Sequence, residues 1–170
     1  MAGEKFLKHS SGLLAEQASR QSSSGAADAG KIVALDATGK LDNSLLPTGI
    51  GAETKSLPTT ESLSDGDFVN IFDNSGAVSC RKADATTQGK EAHGFVLAAI
   101  ASGASATVYV AGINTHLSAL TGGPRMYLST TAGAATSSAP SASGNVVQEV
   151  GQRLSDTEIA FAPKLPMTLA

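Results

Sequence analysis

With 170 residues and 12 Lys and Arg against 15 Asp and Glu, a net charge of −3, the chain fits one domain with an appended segment, or two small units. It has no basic surface for nucleic acid. Five Phe, two Tyr and no Trp leave little bulk for a core. The abundant Ala, Ser, Thr and Gly suit strands that approach closely, so an oligomer that adds burial is expected.

Cys80 is the single cysteine, which excludes an intramolecular disulfide and a four-cysteine zinc site. No apolar run reaches the length of a membrane span, and Lys5 and Lys8 flank only Phe6-Leu7, with no signal core. Synthesis in the cytoplasm, with no membrane partner, is the expectation.

Residues 4–20 allow a short helix or a tail of modest helicity. Phe6, Leu7, Leu13 and Leu14 would then share one face and anchor the segment on a partner. Gly12 and several Ser weaken that helix. Residues 19–30, rich in Ser, Ala and Gly, read as a flexible linker. Ile32, Val33 and Leu35 belong to a short expected strand, followed by a turn at Asp36-Ala-Thr-Gly39 and a compact turn from Leu41 to Leu46 that ends at Pro47.

The run Gly30-Lys-Ile-Val-Ala-Leu-Asp-Ala-Thr-Gly-Lys-Leu-Asp-Asn-Ser-Leu-Leu-Pro47 resembles a segment that recurs in tail-fibre, head-fibre and decoration proteins of tailed bacteriophages. There it sits between an attachment end and a distal β domain. The pattern is specific for phage appendages, not for which appendage.

Residues 48–64 read as a connector rich in Gly, Thr, Ser and Pro, and the β domain is expected over 65–170. Phe68–Phe72 and Ala77–Lys82 form a predicted hairpin around Asp73-Asn-Ser-Gly76, with Cys80 facing a core. Ala83–Lys90 is a polar loop. His93–Ala101 is apolar on both alternations, so it reads as a strand buried on both faces. One of those faces is expected to meet another subunit, and Phe95, Val96, Leu97 and Ile100 are the residues assigned to the trimer interface. Thr107–Ala111 returns as a strand, and Gly112–Leu120 is irregular. Met126–Ser129 is a strand, and Thr130–Ser143 an exposed loop. Val146–Val150 is a strand with Gly151 as a bulge, and Glu158–Ala162 places Ile159 and Phe161 inside.

No catalytic pattern emerges, so the chain is not expected to be an enzyme or to take a cofactor. There is no Gly-x-Ser-x-Gly and no phosphate loop. His9, His93 and His116 have no second ligand at metal spacing. Asp65-Gly-Asp67 lacks the remaining oxygens of a calcium loop, and Ser155-Asp-Thr-Glu158 has capping-box spacing but precedes strand alternation, so both read as turns.

The C-terminal order completes the resemblance. Tyr127-Leu-Ser129 leads to a Thr/Ala/Gly loop with Pro140. Gly144-Asn-Val-Val-Gln148, Val150-Gly151, Leu154-Ser155 and Ile159-Ala-Phe161-x-Pro163 follow. This is similar to the small β module of phage head-fibre and capsid-decoration proteins. That resemblance implies a mainly β fold: an extended or short helical anchoring arm over 1–47, then a small antiparallel β-barrel or tulip-like domain that assembles as a trimer. It implies a homotrimeric decoration protein on the capsid surface of a virion. The arm, through Phe6, Leu7, Leu13, Leu14, Ile32, Val33 and Leu35, would grip the major capsid protein. The alternative is a tail-fibre or baseplate adaptor that binds another tail protein or a host surface glycan. The loop Thr130–Ser143 lacks the aromatic or carboxylate cluster that glycan binding would use.

Overall fold

The computed structural model describes residues 5–46 and 51–170, which divide into two compact units, Met1–Gly51 and Ala52–Ala170. Both units are built from antiparallel strands, and each is taken on its own.

The N-terminal unit opens with a hairpin, β1 (Lys5–Ser10) against β2 (Leu13–Ala18). This corrects the expected helix. Ser11 and Gly12 both take positive φ, 51° and 84°, which makes the two-residue turn whose twist matches paired strands. With a period of two, Phe6 and Leu7 leave opposite faces of the ribbon. The register pairs Leu7 with Glu16 and His9 with Leu14, so Leu7 and Leu14 share one face. Phe6, opposite Gln17, and Leu13, opposite Ser10, share the other.

The expected linker is tied by Asp28, at the end of a 3-10 turn (Gly25–Asp28). Its carboxylate accepts the Ser24 N–H at 2.7 Å and pairs with Arg20 at 2.8 Å and Lys31 at 3.0 Å. The expected strand at Ile32–Leu35 is a single parallel bridge between Arg20 and Val33, with Ala34 N–H donating to the Arg20 carbonyl and Arg20 N–H to that of Ile32. The turn at Asp36 forms as expected. Gly39 has φ +76°, and the Asp36 carboxylate accepts the N–H groups of Thr38 and Lys40. Asn43–Leu45 is one 3-10 turn, capped by Asp42, whose carboxylate accepts the Ser44 N–H at 2.9 Å. Pro47 lies outside the described residues.

The second unit holds β3 (Thr54–Pro58), β4 (Phe68–Asn74), β5 (Ala77–Lys82), β6 (Gly94–Phe95), β7 (Ser105–Tyr109) and β8 (Gly112–Asn114). It continues with β9 (Arg125–Leu128), β10 (Ala135–Thr136), β11 (Val146–Val147), β12 (Glu149–Ser155), β13 (Glu158–Phe161) and β14 (Met167–Thr168). Two five-stranded sheets result, ordered β3-β7-β6-β4-β5 and β10-β9-β12-β13-β8, with β11 and β14 as a separate pair. All ladders between these strands are antiparallel. The fold is therefore mainly β, as expected; neither sheet closes into a barrel of paired strands, although a single parallel bridge from Thr59 to Cys80 links the end of β3 to β5.

The two sheets enclose one core. Phe68 and Phe95 from the first meet Met126, Leu128, Val150, Ile159 and Phe161 from the second. Phe161 lies edge-on to Phe95 at 5.6 Å and tilted against Phe68 at 5.8 Å, while Phe95 stacks on Tyr109 at 5.4 Å. These three rings and their partners carry much of the bulk that the sparse aromatic content allows. A second core lies on the other face of the first sheet, with Leu57, Leu63, Val69, Cys80, Val96, Ala106 and Val108.

Local chemistry explains the strands that the sequence placed well. The β4–β5 hairpin turns at Ser75-Gly76, both at positive φ. The β12 ladder slips between Glu149 and Gly151, and a Cβ on Gly151 would stand 2.0 Å from the Ala160 carbonyl oxygen, so the bulge requires glycine. Ile159 and Phe161 point inward.

Four expectations change. The connector over 48–64 contributes β3, whose Leu57 is buried in the second core, although residues 47–50 lie outside the described part. The long strand at His93–Ala101 shrinks to Gly94–Phe95, because the chain leaves the sheet after Val96 and returns only as a bridge from Ile100 to Leu63. The irregular stretch after Gly112 begins as edge strand β8. The exposed loop 130–143 is partly built in, with Gly133 donating to the Ala83 carbonyl at 2.8 Å and accepting the Phe68 N–H at 2.9 Å.

Candidate functional site: an uncovered apolar arm

The seven residues assigned to anchoring all fall in the N-terminal unit. Leu7, Leu13 and Leu14 are 69, 74 and 73% exposed, and Ile32, Val33 and Leu35 are about half exposed. Phe6 is half-buried. Leu41, which sequence reasoning did not single out, joins them as an exposed apolar side chain. Among the described residues of this unit none is buried.

The unit is held by polar contacts instead. Lys5 meets Glu16 at 2.8 Å on the face that carries Leu7 and Leu14, an exposed pair worth little in water. Asp28 gathers Arg20 and Lys31, and its pKa is held low by the Ser24 N–H first and by the Lys31 hydrogen bond next. The Lys40 N–H, then the Thr38 hydroxyl, hold Asp36 low; the Ser44 hydroxyl, then its N–H, hold Asp42 low. These three carboxylates form turns, and turns do not bury apolar area.

A lone two-stranded ribbon is marginal in water. Among the described residues no third strand pairs with either outer edge, and its faces carry exposed leucines. Covering one such leucine contributes roughly 1.5–3 kcal/mol. The seven anchoring residues are brought into one unit, but not onto one face, since Phe6 and Leu13 oppose Leu7 and Leu14.

The four residues assigned to a subunit contact divide. Phe95 is 1% exposed in the core between the sheets and Val96 is 0% exposed in the second core. Both are spent within one protomer, which corrects their assignment. Leu97 and Ile100 remain partly exposed, and line an open groove of about 300 Å³ with Ala98, Ser105, Thr107 and Tyr109. Tyr109 and the β7 hydroxyls were not singled out, because Thr107–Ala111 was read only as a returning strand.

The remaining candidate side chains among the described residues lie apart. Cys80 is fully buried, and burial pushes its thiol up, which disfavours the nucleophilic thiolate. His116 Nδ1 lies 2.6 Å from Asp65, but no hydroxyl or thiol is hydrogen-bonded to that imidazole among the described residues. His93 Nδ1 lies 3.1 Å from the Ile71 N–H, a structural position at the edge of β4. Among the described residues, no three His, Cys, Asp or Glu side chains converge to hold a metal ion. Gln148 is buried and copies a strand contact, accepting the Ala92 N–H at 2.8 Å and donating to its carbonyl at 3.0 Å. It forms the floor of a groove of about 550 Å³ that Leu165 and Pro166 border.

No protein-family model, curated protein or solved structure matches this chain.

Proposed function

We propose that this chain is a virion structural protein: a homotrimeric decoration protein that coats the capsid of a tailed bacteriophage. The N-terminal unit is the grip and the C-terminal β unit is the projecting head. The observation that supports this reading is the N-terminal unit itself, which exposes Leu7, Leu13, Leu14, Ile32, Val33 and Leu35 and buries none of its described apolar side chains. Such a unit gains its burial from a partner. The resemblance of Gly30–Pro47 to phage appendage segments, together with that of the C-terminal order to capsid-decoration modules, supports the major capsid protein as that partner.

The mechanism is mechanical. One edge or face of the ribbon pairs with the capsid lattice, by strand addition or by seating its leucines. Three arms on one trimer turn modest grips into a tight one, because the second and third bind at high effective concentration. No step needs a nucleophile, metal or cofactor.

The test uses the full chain and undecorated heads. Leu7→Asp together with Leu14→Asp removes the apolar face and should lower head binding at least about 100-fold, from two leucine contacts of roughly 1.5–3 kcal/mol each. Co-sedimentation reads the result. Unchanged binding would remove the arm from the grip. Antibody label on tails and not on heads would favour the tail-adaptor alternative.

A further inference from the structure

Leu13 and Leu14 are consecutive in β2, so their side chains leave opposite faces of the ribbon. They are nonetheless almost equally open, 74 and 73% exposed. Leu7 stands beside Leu14, diagonal to it across the strands, and the Lys5–Glu16 pair on that face neutralises its own charge. Phe6 and Ala15 share the face of Leu13. Lys8 also lies there, and its long stem lets the methylenes cover apolar surface while the ammonium stays in water.

The area of the ribbon limits how it can be held. With two strands of six residues, each face measures roughly 20 by 10 Å, about 200 Å². One partner of a stable complex buries about 800 Å². A flat surface would use a single face, about a quarter of that area, and leave the opposite leucine in water. Two walls double the buried area while the ribbon is ordered only once. They also cover both faces of a hairpin that is marginal when bare.

We infer that the ribbon is a plug: its partner takes it in a cleft with two apolar walls, one over Leu7 and Leu14 and the other over Phe6 and Leu13. The inference rests on the arm as the grip and deepens that reading, because it states the shape of the site on the capsid protein. A single flat patch cannot satisfy it.

The experiment compares Leu13→Asp with Leu14→Asp, each in the full chain, by co-sedimentation with undecorated heads. The two positions match in residue type, strand and exposure and differ in face, so each variant is the control for the other. Each should weaken binding at least about tenfold, the loss that one covered leucine implies. Neither side chain is buried, so the circular dichroism should stay that of wild type. Hydroxyl-radical footprinting of wild type is the second readout, independent of any variant's folding: Leu7, Leu13 and Leu14 should react in the free chain, and all three should be protected on the heads. Weakened binding in only one of the two variants, with the other face still reactive on the heads, overturns the cleft and leaves the arm as the grip. Full binding by both variants, with no protection gained, overturns the grip and the cleft with it. Protection of one face already in the free chain would mean that the protein covers that face itself, and also overturns the inference.

Discussion

The C-terminal β unit brings Phe68, Phe95 and Phe161 into ring contact inside a two-sheet core, while the N-terminal unit leaves three leucines about seven-tenths exposed on a two-stranded ribbon. The difference is one of layers. A sheet buries an apolar face only against a second layer. The C-terminal strands supply two sheets and a second small core. The N-terminal residues supply one ribbon, turns and ion pairs, and so have nowhere to put Leu7, Leu13 or Leu14. One unit encloses its apolar side chains; the other leaves them exposed.

The sharpest way to break that comparison is to remove bulk where burial is real. Phe95→Ala would delete the ring that stacks on Tyr109 and meets Phe161 edge-on, with an expected cost of about 3–5 kcal/mol. Urea unfolding of the β unit should register most of it. The same measurement on Leu7→Asp with Leu14→Asp should show a change within about 0.5 kcal/mol, since neither side chain has an interior to leave. A large loss would mean that the hairpin is buried in the free protein.

Asp84 gives a smaller, pH-dependent contrast. Burial alone would raise its carboxyl, but the Thr86 hydroxyl and N–H and the Lys90 ammonium outweigh that and hold its pKa low. A carboxylate with a depressed folded pKa contributes stability that is complete above its unfolded value, about 3.9. That stability is lost as pH falls through the lower folded value. The β unit should therefore weaken below about pH 4, and Asp84→Asn should flatten that part of the stability profile. A profile that keeps its full acid slope in the variant would move the effect to other carboxylates.

How much could be read from the chain follows the same division. The β4–β5 hairpin was legible because Asp73-Asn-Ser-Gly76 is turn chemistry between two strand-like runs. The β13 alternation was legible because Ile159 and Phe161 face a real interior. The N-terminal hairpin was not. Two apolar pairs separated by seven positions fit a helical stripe, and they fit equally a ribbon that folds back between them. Only the conformation of Ser11 and Gly12 decides, and it selects the ribbon. The long apolar run after His93 misled for another reason. Apolar side chains on both alternations marked burial on both faces correctly for Phe95 and Val96, but that burial lies within one protomer. The exposed apolar residues of the arm were legible as candidates by their type alone; their split over two faces was not.

Amide hydrogen exchange on the full chain, free and bound to undecorated heads, tests the central claim most directly. In the free protein, the amides of Lys5–Ser10 and Leu13–Ala18 should exchange within a small factor of an unstructured peptide, while those of β4, β12 and β13 are protected to the level of global unfolding. On the heads, the hairpin amides should become protected and those of the β unit should change little. Strong protection of the hairpin in the free protein, or none gained on the heads, would contradict the account.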